Sequence, residues 1–158
     1  MTKVNLGSFK VDALSQEEVI TQIKSQLLKS VEPNIMVTPN AGHLTNIFAN
    51  PELGEIYSNA ELSLIDGWPI AVAAKNASKS KITRVTGSDL LPELFSQLTK
   101  DVRVGIIGGN NESIIRQSLE TKFPELNIQI IDTSQWTNSV YDIRRLRELV
   151  QYLSLIHI

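Results

Sequence analysis

The chain has 158 residues, of which 42% are hydrophobic and 20% are charged, and its formal net charge is −2. This length suits one domain with its own core, and the composition is globular, which excludes a disordered chain. The small negative charge provides no electrostatic footprint for nucleic acid, and the lack of cysteine excludes disulfides and thiolate chemistry.

Short apolar runs and apolar residues at helical spacing alternate along the chain, which predicts strands alternating with helices. Ser15 followed by Glu18 is a capping-box pattern that marks the start of the first helix. Pro69 and Pro92 suit the first turns of two later helices, the second with Asp89 as its N-cap. In chain order we predict a hairpin of residues 4–6 and 9–11, a helix 16–29, a strand 34–38, helices 43–49 and from 51, a strand 62–65, a helix 68–77, a strand 82–85, a helix 89–98, a strand 103–107, a helix 112–122, a strand 127–131 and a helix 140–152.

This alternation favours an α/β fold, namely a Rossmann-like, largely parallel sheet flanked by helices, with a small N-terminal hairpin. In such sheets ligands bind beyond the carboxyl ends of the strands. Three polar clusters follow apolar runs and would meet at that edge: Thr38-Pro39-Asn40, Asp66-Gly67 and residues 84–89. We therefore predict a functional site there, centred on Asp66-Gly67.

The polar residues of these clusters each have a functional and a structural interpretation. Asp66 would be a general base at the mouth of the sheet, or the N-cap of the helix that follows. Thr38 and Asn40 would orient a polyhydroxylated ligand, or form a turn around Pro39. Arg84 would clamp a phosphate with its planar guanidinium, or lie on a surface strand.

Two glycine-containing turns have the placement of anion-binding turns at helix starts. Thr86-Gly87-Ser88-Asp89 has a helix cap at Asp89 as its alternative, and Gly108-Gly109 has a plain tight turn. The second lacks the G-x-G-x-x-G fingerprint of dinucleotide sites. His43 stands alone near a helix start, and the sequence contains no Asp-x-Asp pair to hold a divalent cation. We therefore predict neither a metal nor a cofactor.

A set of four motifs in order resembles the WecG/TagA/CpsF glycosyltransferase family. The motifs are Thr38-x-Asn40-Ala41, Asp66-Gly67-x-Pro69, Arg84-x-Thr86-Gly87-x-Asp89 and Gly108-Gly109. A fifth stretch, Phe123-Pro124-Glu125-Leu126, is similar to the family's Tyr-Pro-x-Leu, and the resemblance extends to about Ile131. Each motif is short, but four in order at fitting spacings are specific.

The resemblance implies an inverting, metal-independent transferase that builds cell-wall teichoic acid or another bacterial surface polysaccharide. It would move a sugar, with N-acetylmannosamine preferred, from a UDP-sugar donor to a polyprenyl-diphosphate-linked N-acetylglucosamine acceptor. Such an enzyme is cytoplasmic and peripheral to the inner face of the cell membrane. Exposed apolar faces would also allow a homo-oligomer.

The resemblance also assigns roles to the polar residues. Asp66 would be the general base, and Thr38 and Asn40 would position donor or acceptor. Arg84 would offset charge on the diphosphate, because stabilisation of developing charge is usually a large catalytic term. The remaining substrate-binding positions would be Gly67, Thr86, Gly87, Asp89, Gly108 and Gly109.

Family members continue into a Gly-x-Pro-Lys-Gln-Glu segment and a C-terminal appendage that approaches the membrane, and this sequence contains neither. Residues 153–158 match the translation of a common transposon-end sequencing adapter. We interpret residues 1–152 as one incomplete glycosyltransferase domain and 153–158 as an artefact, in which His157 has no function. The alternative is a genuine apolar C-terminal strand.

Two other functions are kept as alternatives. The first is a non-catalytic UDP-sugar-binding subunit of a polysaccharide pathway, which would bind the donor without releasing UDP. The second is an unrelated dinucleotide-dependent enzyme built on the Gly108-Gly109 turn, which would bind NAD.

Overall fold

The computed structural model describes residues 3–7, 9–29, 34–78, 81–107, 112–131 and 156–157. The chain divides into two compact units, Met1–Pro92 with Ile156–Ile158, and Glu93–Leu155. The strands are β1 (Lys3–Asn5), β2 (Lys10–Asp12), β3 (Asn34–Val37), β4 (Leu62–Ser63), β5 (Arg103–Ile107), β6 (Asn127–Ile131) and β7 (Ile156–His157). The helices are α1 (Gln16–Lys29), α2 (Ala41–Ala49), α3 (Pro51–Asn59), α4 (Trp68–Ala77), α5 (Gly87–Ser96) and α6 (Glu112–Lys122).

The described strands form three small sheets, so the chain is an α/β protein. Strands β1 and β2 pair antiparallel, which confirms the predicted hairpin. The second sheet has the order β4-β3-β7 and the third is β5-β6, and all of their pairs are parallel. A single Rossmann-like sheet stays a prediction, as does the interpretation of residues 153–158 as an artefact.

The pairing of β3 with β4 determines where the loops of the site leave the sheet. Met36 lies opposite Leu62 and Val37 opposite Ser63 in parallel register. The Leu64 N–H donates to the Val37 carbonyl oxygen at 2.8 Å, which continues the pairing past the last residue of β4. The loops that follow both strands therefore start side by side at the carboxyl edge.

The core of the first unit anchors both ends of the loop formed by residues 66–69. Ile65 and Ile70 are fully buried, and they flank the partly or fully exposed residues 66–69. Burial of an isoleucine side chain stabilises a fold by about 1.5–3 kcal/mol, so both ends of this loop are anchored. The core cluster around them consists of Val4, Phe9, Val11, Ile47, Ile65, Ile70 and Ala74.

The first helix begins with the predicted capping box. The Glu18 N–H donates to Ser15 Oγ at 3.3 Å, and the Ser15 N–H donates to Glu18 Oε2 at 2.7 Å. These hydrogen bonds, with the one from the Ser15 backbone contributing most, lower the pKa of Glu18. The predicted starts of α3 at Pro51 and of α4 at Trp68 are also confirmed.

Two predicted strands differ from the structure. Strand β4 ends at Ser63 instead of Ile65, and residues 82–85 are not a strand. The Val85 N–H donates to the Ile65 carbonyl oxygen at 2.9 Å, so this segment meets the loop after β4. Because β4 has already ended there, no strand edge continues beside residues 82–85 to extend a ladder.

Two predicted helices begin earlier than expected because other residues cap them. Helix α2 begins at Ala41 with Asn40 as its N-cap, instead of at His43. Helix α5 covers Gly87–Ser96 instead of 89–98, which places Asp89 in its first turn and Pro92 in its interior. The prediction that Asp89 is the N-cap is therefore wrong.

The second unit contains a parallel strand pair joined through a helix. Residues of β5 and β6 pair in register from Arg103–Asn127 to Ile107–Ile131, and α6 lies between them in sequence. The Phe95 and Phe123 rings meet edge to face with centroids 5.6 Å apart. These elements confirm the predictions for 103–131, whereas residues 108–111 and 140–152 lie outside the described residues.

Candidate functional site

The loops after β3 and β4 meet at Asn40 and Gly67. A Cβ placed on Gly67 would lie 3.7 Å from the Asn40 Cβ, in ordinary van der Waals contact. Gly67 has φ +79° and ψ 148°, a conformation that residues with a side chain rarely adopt. The glycine thus permits the turn that presents Asp66 beside Asn40.

The third polar cluster joins the same edge through the Val85–Ile65 hydrogen bond. This bond places Val85 beside the residue that precedes Asp66. Arg84 is exposed, whereas Thr86 is buried with 7% of its surface accessible. The segments that carry the three clusters predicted from the sequence therefore meet at one edge of the first unit, joined by backbone hydrogen bonds next to the clusters.

Three of the predicted functional groups make no hydrogen bond or ion pair with another described residue. Among the described residues, the Thr38 hydroxyl, the Asp66 carboxylate and the Arg84 guanidinium have no hydrogen-bond or ion-pair partner. Thr38 and Asp66 are half-buried. The edge therefore offers a hydroxyl, a carboxylate and a guanidinium to a ligand, which suits hydrogen bonding, proton acceptance and anion binding.

The structure separates the two interpretations of Asp66. The N-cap of α4 is Gly67, and no side chain caps that helix. Asp66 is therefore not the helix cap, and the structural alternative for this residue is wrong. Its half-buried carboxylate, which binds no other described residue, is available to a ligand.

The side chain of Asn40 carries an oxygen that caps a helix and an NH2 group that remains available to a ligand. Its Oδ1 accepts hydrogen bonds from the Gly42 N–H at 3.0 Å and the His43 N–H at 3.2 Å. The Asn40 N–H in turn donates to His43 Nδ1 at 3.2 Å, which completes a capping box. The side-chain oxygen is thus used in the cap, while the Nδ2 hydrogens have no partner in the described part of the chain.

His43 is a residue whose role sequence reasoning missed. Its imidazole occupies the third position of α2, where capping boxes usually carry glutamate or glutamine. The only sequence signal was an asparagine three residues before a side chain that can accept a hydrogen bond. A histidine in this role differs from the usual pattern, so the signal was weak.

The residues at the start of α5 bind one another. Thr86 Oγ1 donates to Asp89 Oδ2 at 2.8 Å and accepts from the Asp89 N–H at 3.1 Å. Ser88 Oγ lies 2.9 Å from the same hydroxyl. The Asp89 carboxylate already lies at the helix N-terminus, where it complements the helix dipole. These bonds account for a helix cap, and substrate contacts by Thr86, Gly87 and Asp89 stay predictions.

Two further residues near the site were not assigned from the sequence. Trp68 directly follows Gly67 and is 74% exposed, unusual for a large aromatic side chain. Asp12 is buried, and its Oδ2 accepts from the Ser63 N–H at 2.9 Å while facing Lys3 Nζ at 3.5 Å. Nothing in the local sequence around Asp12 indicates that it supports β4.

Other sequence predictions for the site fall outside what the structure describes. Gly108 and Gly109 lie outside the described residues. Within the described ranges, no three histidine or acidic side chains group as they would around a metal ion. The helices among these residues include none long and apolar enough to span a membrane.

Comparisons with known proteins agree with the motif pattern. No curated protein matches the chain. The model of the glycosyl transferase WecG/TagA/CpsF family matches residues 4–150, which include the Asn40, Asp66 and Arg84 clusters. A match of this extent covers both compact units, so the chain belongs to the WecG/TagA/CpsF glycosyltransferase family and is a glycosyltransferase of cell-surface polysaccharide synthesis.

Proposed function

We propose that the chain is an inverting, metal-independent glycosyltransferase. It transfers a sugar, with N-acetylmannosamine preferred, from a UDP-sugar to polyprenyl-diphosphate-linked N-acetylglucosamine in teichoic acid or related polysaccharide synthesis. Family membership supports the reaction class. The observation that carries the assignment to this site is the Asp66 carboxylate, half-buried at the carboxyl edge of β3 and β4 and without a partner among the residues that the structure describes.

Asp66 acts as the general base in this reaction. Its carboxylate takes the proton from the attacking hydroxyl of the acceptor sugar as the hydroxyl oxygen bonds to the anomeric carbon. The bond from that carbon to the β-phosphate oxygen breaks on the opposite face, and UDP leaves with the electron pair. Attack opposite to the leaving group inverts the configuration of the anomeric carbon.

Thr38, Asn40 and Arg84 bind the substrates around this base. Thr38 and Asn40 hold sugar oxygens by hydrogen bonds, and the exposed Arg84 guanidinium offsets charge on the departing diphosphate. Substrate binding by Gly108 and Gly109 stays a prediction from the sequence. The sequence has no Asp-x-Asp pair, so protein groups take the place of a metal ion in this proposal.

The wider arrangement follows from the same proposal. In this proposal the protein works at the inner face of the cell membrane as a peripheral protein, and the sequence prediction of a glycosyltransferase domain over residues 1–152 is kept. The partners are the UDP-sugar and the lipid-linked acceptor, and a homo-oligomer is compatible with the exposed apolar side chains Phe48, Ile56 and Trp68.

The test is Asp66→Asn in the full-length protein, assayed for UDP release with a lipid-linked acceptor and for UDP-sugar binding by calorimetry. Asparagine preserves shape but cannot take the proton, so turnover should fall by at least about 100-fold while donor affinity stays within a few-fold. Asp101→Asn is the matched control, because Asp101 is an exposed carboxylate in the turn before β5.

Three outcomes would change the assignment. Unchanged turnover in Asp66→Asn removes Asp66 as the base. UDP-sugar binding by the wild-type protein, without UDP release in the presence of acceptor, favours the non-catalytic binding subunit. Binding of NAD in place of UDP-sugar favours the dinucleotide-dependent enzyme.

A further inference from the structure

We propose that His43 is a positioning residue that acts through Asn40 to present two hydrogen-bond donors to the substrate. The inference rests on the proposed function, because it requires a substrate at the Asp66 edge. Beyond the proposed function, the inference states which kind of substrate group Asn40 recognises and which residue sets the direction of the Asn40 amide.

The direction of the Asn40 amide is determined by the start of α2. Two backbone N–H groups, from Gly42 and His43, point at Oδ1 from 3.0 and 3.2 Å. A flipped amide would place its NH2 group against these two donors and leave all of them unsatisfied. Asn40 therefore offers the site only donors, and it selects an acceptor atom such as a hydroxyl, acetamido or phosphate oxygen.

His43 holds the backbone that carries this amide. Its Nδ1 accepts the Asn40 N–H at 3.2 Å and therefore resists rotation of the residue in the loop after β3. The His43 ring lies against Tyr57, with centroids 6.1 Å apart. Tyr57 meets the buried Phe9 edge to face at 6.4 Å. The imidazole is thus connected to the core through two aromatic rings.

The same contact network leads to the base. A Cβ added to Gly67, the residue after Asp66, would lie 3.7 Å from the Asn40 Cβ, so Asn40 borders the loop that carries the base. Tyr57 is neutral at physiological pH, and burial raises its pKa further above the ordinary value of 10.0, so it adds no charge beside His43. His43 touches no proposed reacting group, so its loss should weaken binding of the substrate that Asn40 contacts and leave proton transfer to Asp66 nearly unchanged.

The first experiment separates the donors of Asn40 from its cap. Asn40→Asp keeps an N-cap of similar strength but replaces the NH2 donors with an acceptor oxygen. We expect wild-type thermal stability and a KM for one substrate raised by about tenfold or more, since an acceptor would face the substrate's oxygen. Asn50→Asp is the matched control, because Asn50 caps α3 through a hydrogen bond from the Glu52 N–H at 3.1 Å. It should leave KM unchanged.

The second experiment tests whether His43 acts through Asn40. His43→Ala should raise the same KM by about fivefold, the value of one hydrogen bond, with kcat within about twofold. His43→Gln should restore KM, because glutamine is a usual capping-box acceptor. The Asn40→Asp/His43→Ala double variant should be no worse than Asn40→Asp alone, because a residue that acts only through the Asn40 donors has nothing further to lose. If His43→Ala does not fold, His43→Asn replaces it, since asparagine is one methylene shorter than glutamine.

The results distinguish this inference from the proposed function. Additive effects in the double variant, or no rescue by glutamine, would overturn the positioning role. Wild-type KM in Asn40→Asp would overturn the donor assignment, even if Asp66→Asn abolishes turnover. If the wild-type protein binds UDP-sugar without turnover, the same variants are compared by calorimetric affinity, so the inference remains testable without catalysis.

Discussion

Asn40 lies beside Gly67 across the loops that follow β3 and β4, so that a Cβ added to Gly67 would lie 3.7 Å from the Asn40 Cβ. This contact joins the residue whose oxygen caps α2 to the residue that caps α4. Asp66 lies in the chain between the buried Ile65 and Gly67, so its backbone is anchored by the core on one side and lies next to the Asn40 contact on the other. Changes at either loop should therefore reach the site.

Gly67→Ala should destabilise the protein and weaken UDP-sugar binding. At φ +79° and ψ 148° a side chain costs about 1–3 kcal/mol in free energy of unfolding, and the added methyl group would lie against Asn40. Urea denaturation and calorimetry measure the two effects. Gly7→Ala is the control, because Gly7 has φ +96° with nothing within 4 Å of the added carbon. It should lower stability alone. Equal affinity losses in both variants would contradict the contact.

Thr86→Val should destabilise α5 by about 0.5–2 kcal/mol, the usual cost of a lost N-cap. Valine matches threonine in shape but lacks the hydroxyl that accepts from the Asp89 N–H and donates to its carboxylate. Thr86→Ser retains these hydrogen bonds and should lose less. Chemical denaturation of both variants is the measurement. A valine variant as stable as the serine variant would show that the hydroxyl does not cap the helix.

Asp12→Ala should cost about 1–3 kcal/mol in free energy of unfolding, because it leaves the buried Ser63 N–H without an acceptor. Asp12→Asn keeps an oxygen for that N–H and should be less damaging. Since Ser63 is the last residue of β4, both variants should also be examined for UDP-sugar affinity. The support role would be excluded if alanine and asparagine had the same small effect on stability.

Glu18 should contribute to stability in a pH-dependent way. Hydrogen bonds from Ser15, first from its backbone and then from its hydroxyl, lower the Glu18 pKa below the ordinary value of 4.5. A carboxyl whose pKa is lower in the folded protein stabilises it above the unfolded pKa, and this contribution is lost as pH falls through the folded pKa. The stability difference between wild type and Glu18→Gln should therefore be greatest near neutral pH and shrink below about 4.5.

Denaturation midpoints from pH 7 to pH 3.5 would measure that difference. Glu17→Gln is the control, because Glu17 lies in the same first turn and makes no capping bond to Ser15. A difference that stays constant across this range would show that the Glu18 carboxylate does not act as the capping partner of Ser15.

Much of the fold could be predicted because its signals are local. The Ser15–Glu18 capping box and the prolines at the starts of α3 and α4 act within a single helical turn, so the residues that carry the signal also make the bonds. The order of the three polar clusters likewise sufficed to predict that they meet, since parallel strands deliver their loops to one edge.

The failed predictions involve choices between similar local partners. Asp89 and Thr86 are both good caps, and α5 uses Thr86 because the Thr86 hydroxyl reaches the Asp89 N–H. Residues 82–85 have strand-like composition, but whether they form a ladder depends on where β4 ends. Whether a residue caps a helix or a segment forms a strand depends on the position of a second segment. Local propensity carries no information about that position.

By itself, the sequence determined the class of protein, the starts of α1, α3, α4 and α6, and the identity of the polar residues in the three clusters. Among the described residues, tertiary structure decided which of their atoms remain available: Oδ1 of Asn40 is used in a cap and Nδ2 is not, while the Asp66 carboxylate does not cap α4. It also brought the Asp12 carboxylate within hydrogen-bond distance of the Ser63 N–H, which is 51 residues later in the sequence. The physical reason is that a hydrogen bond needs both partners in position, and for distant residues only packing of the whole unit provides that geometry.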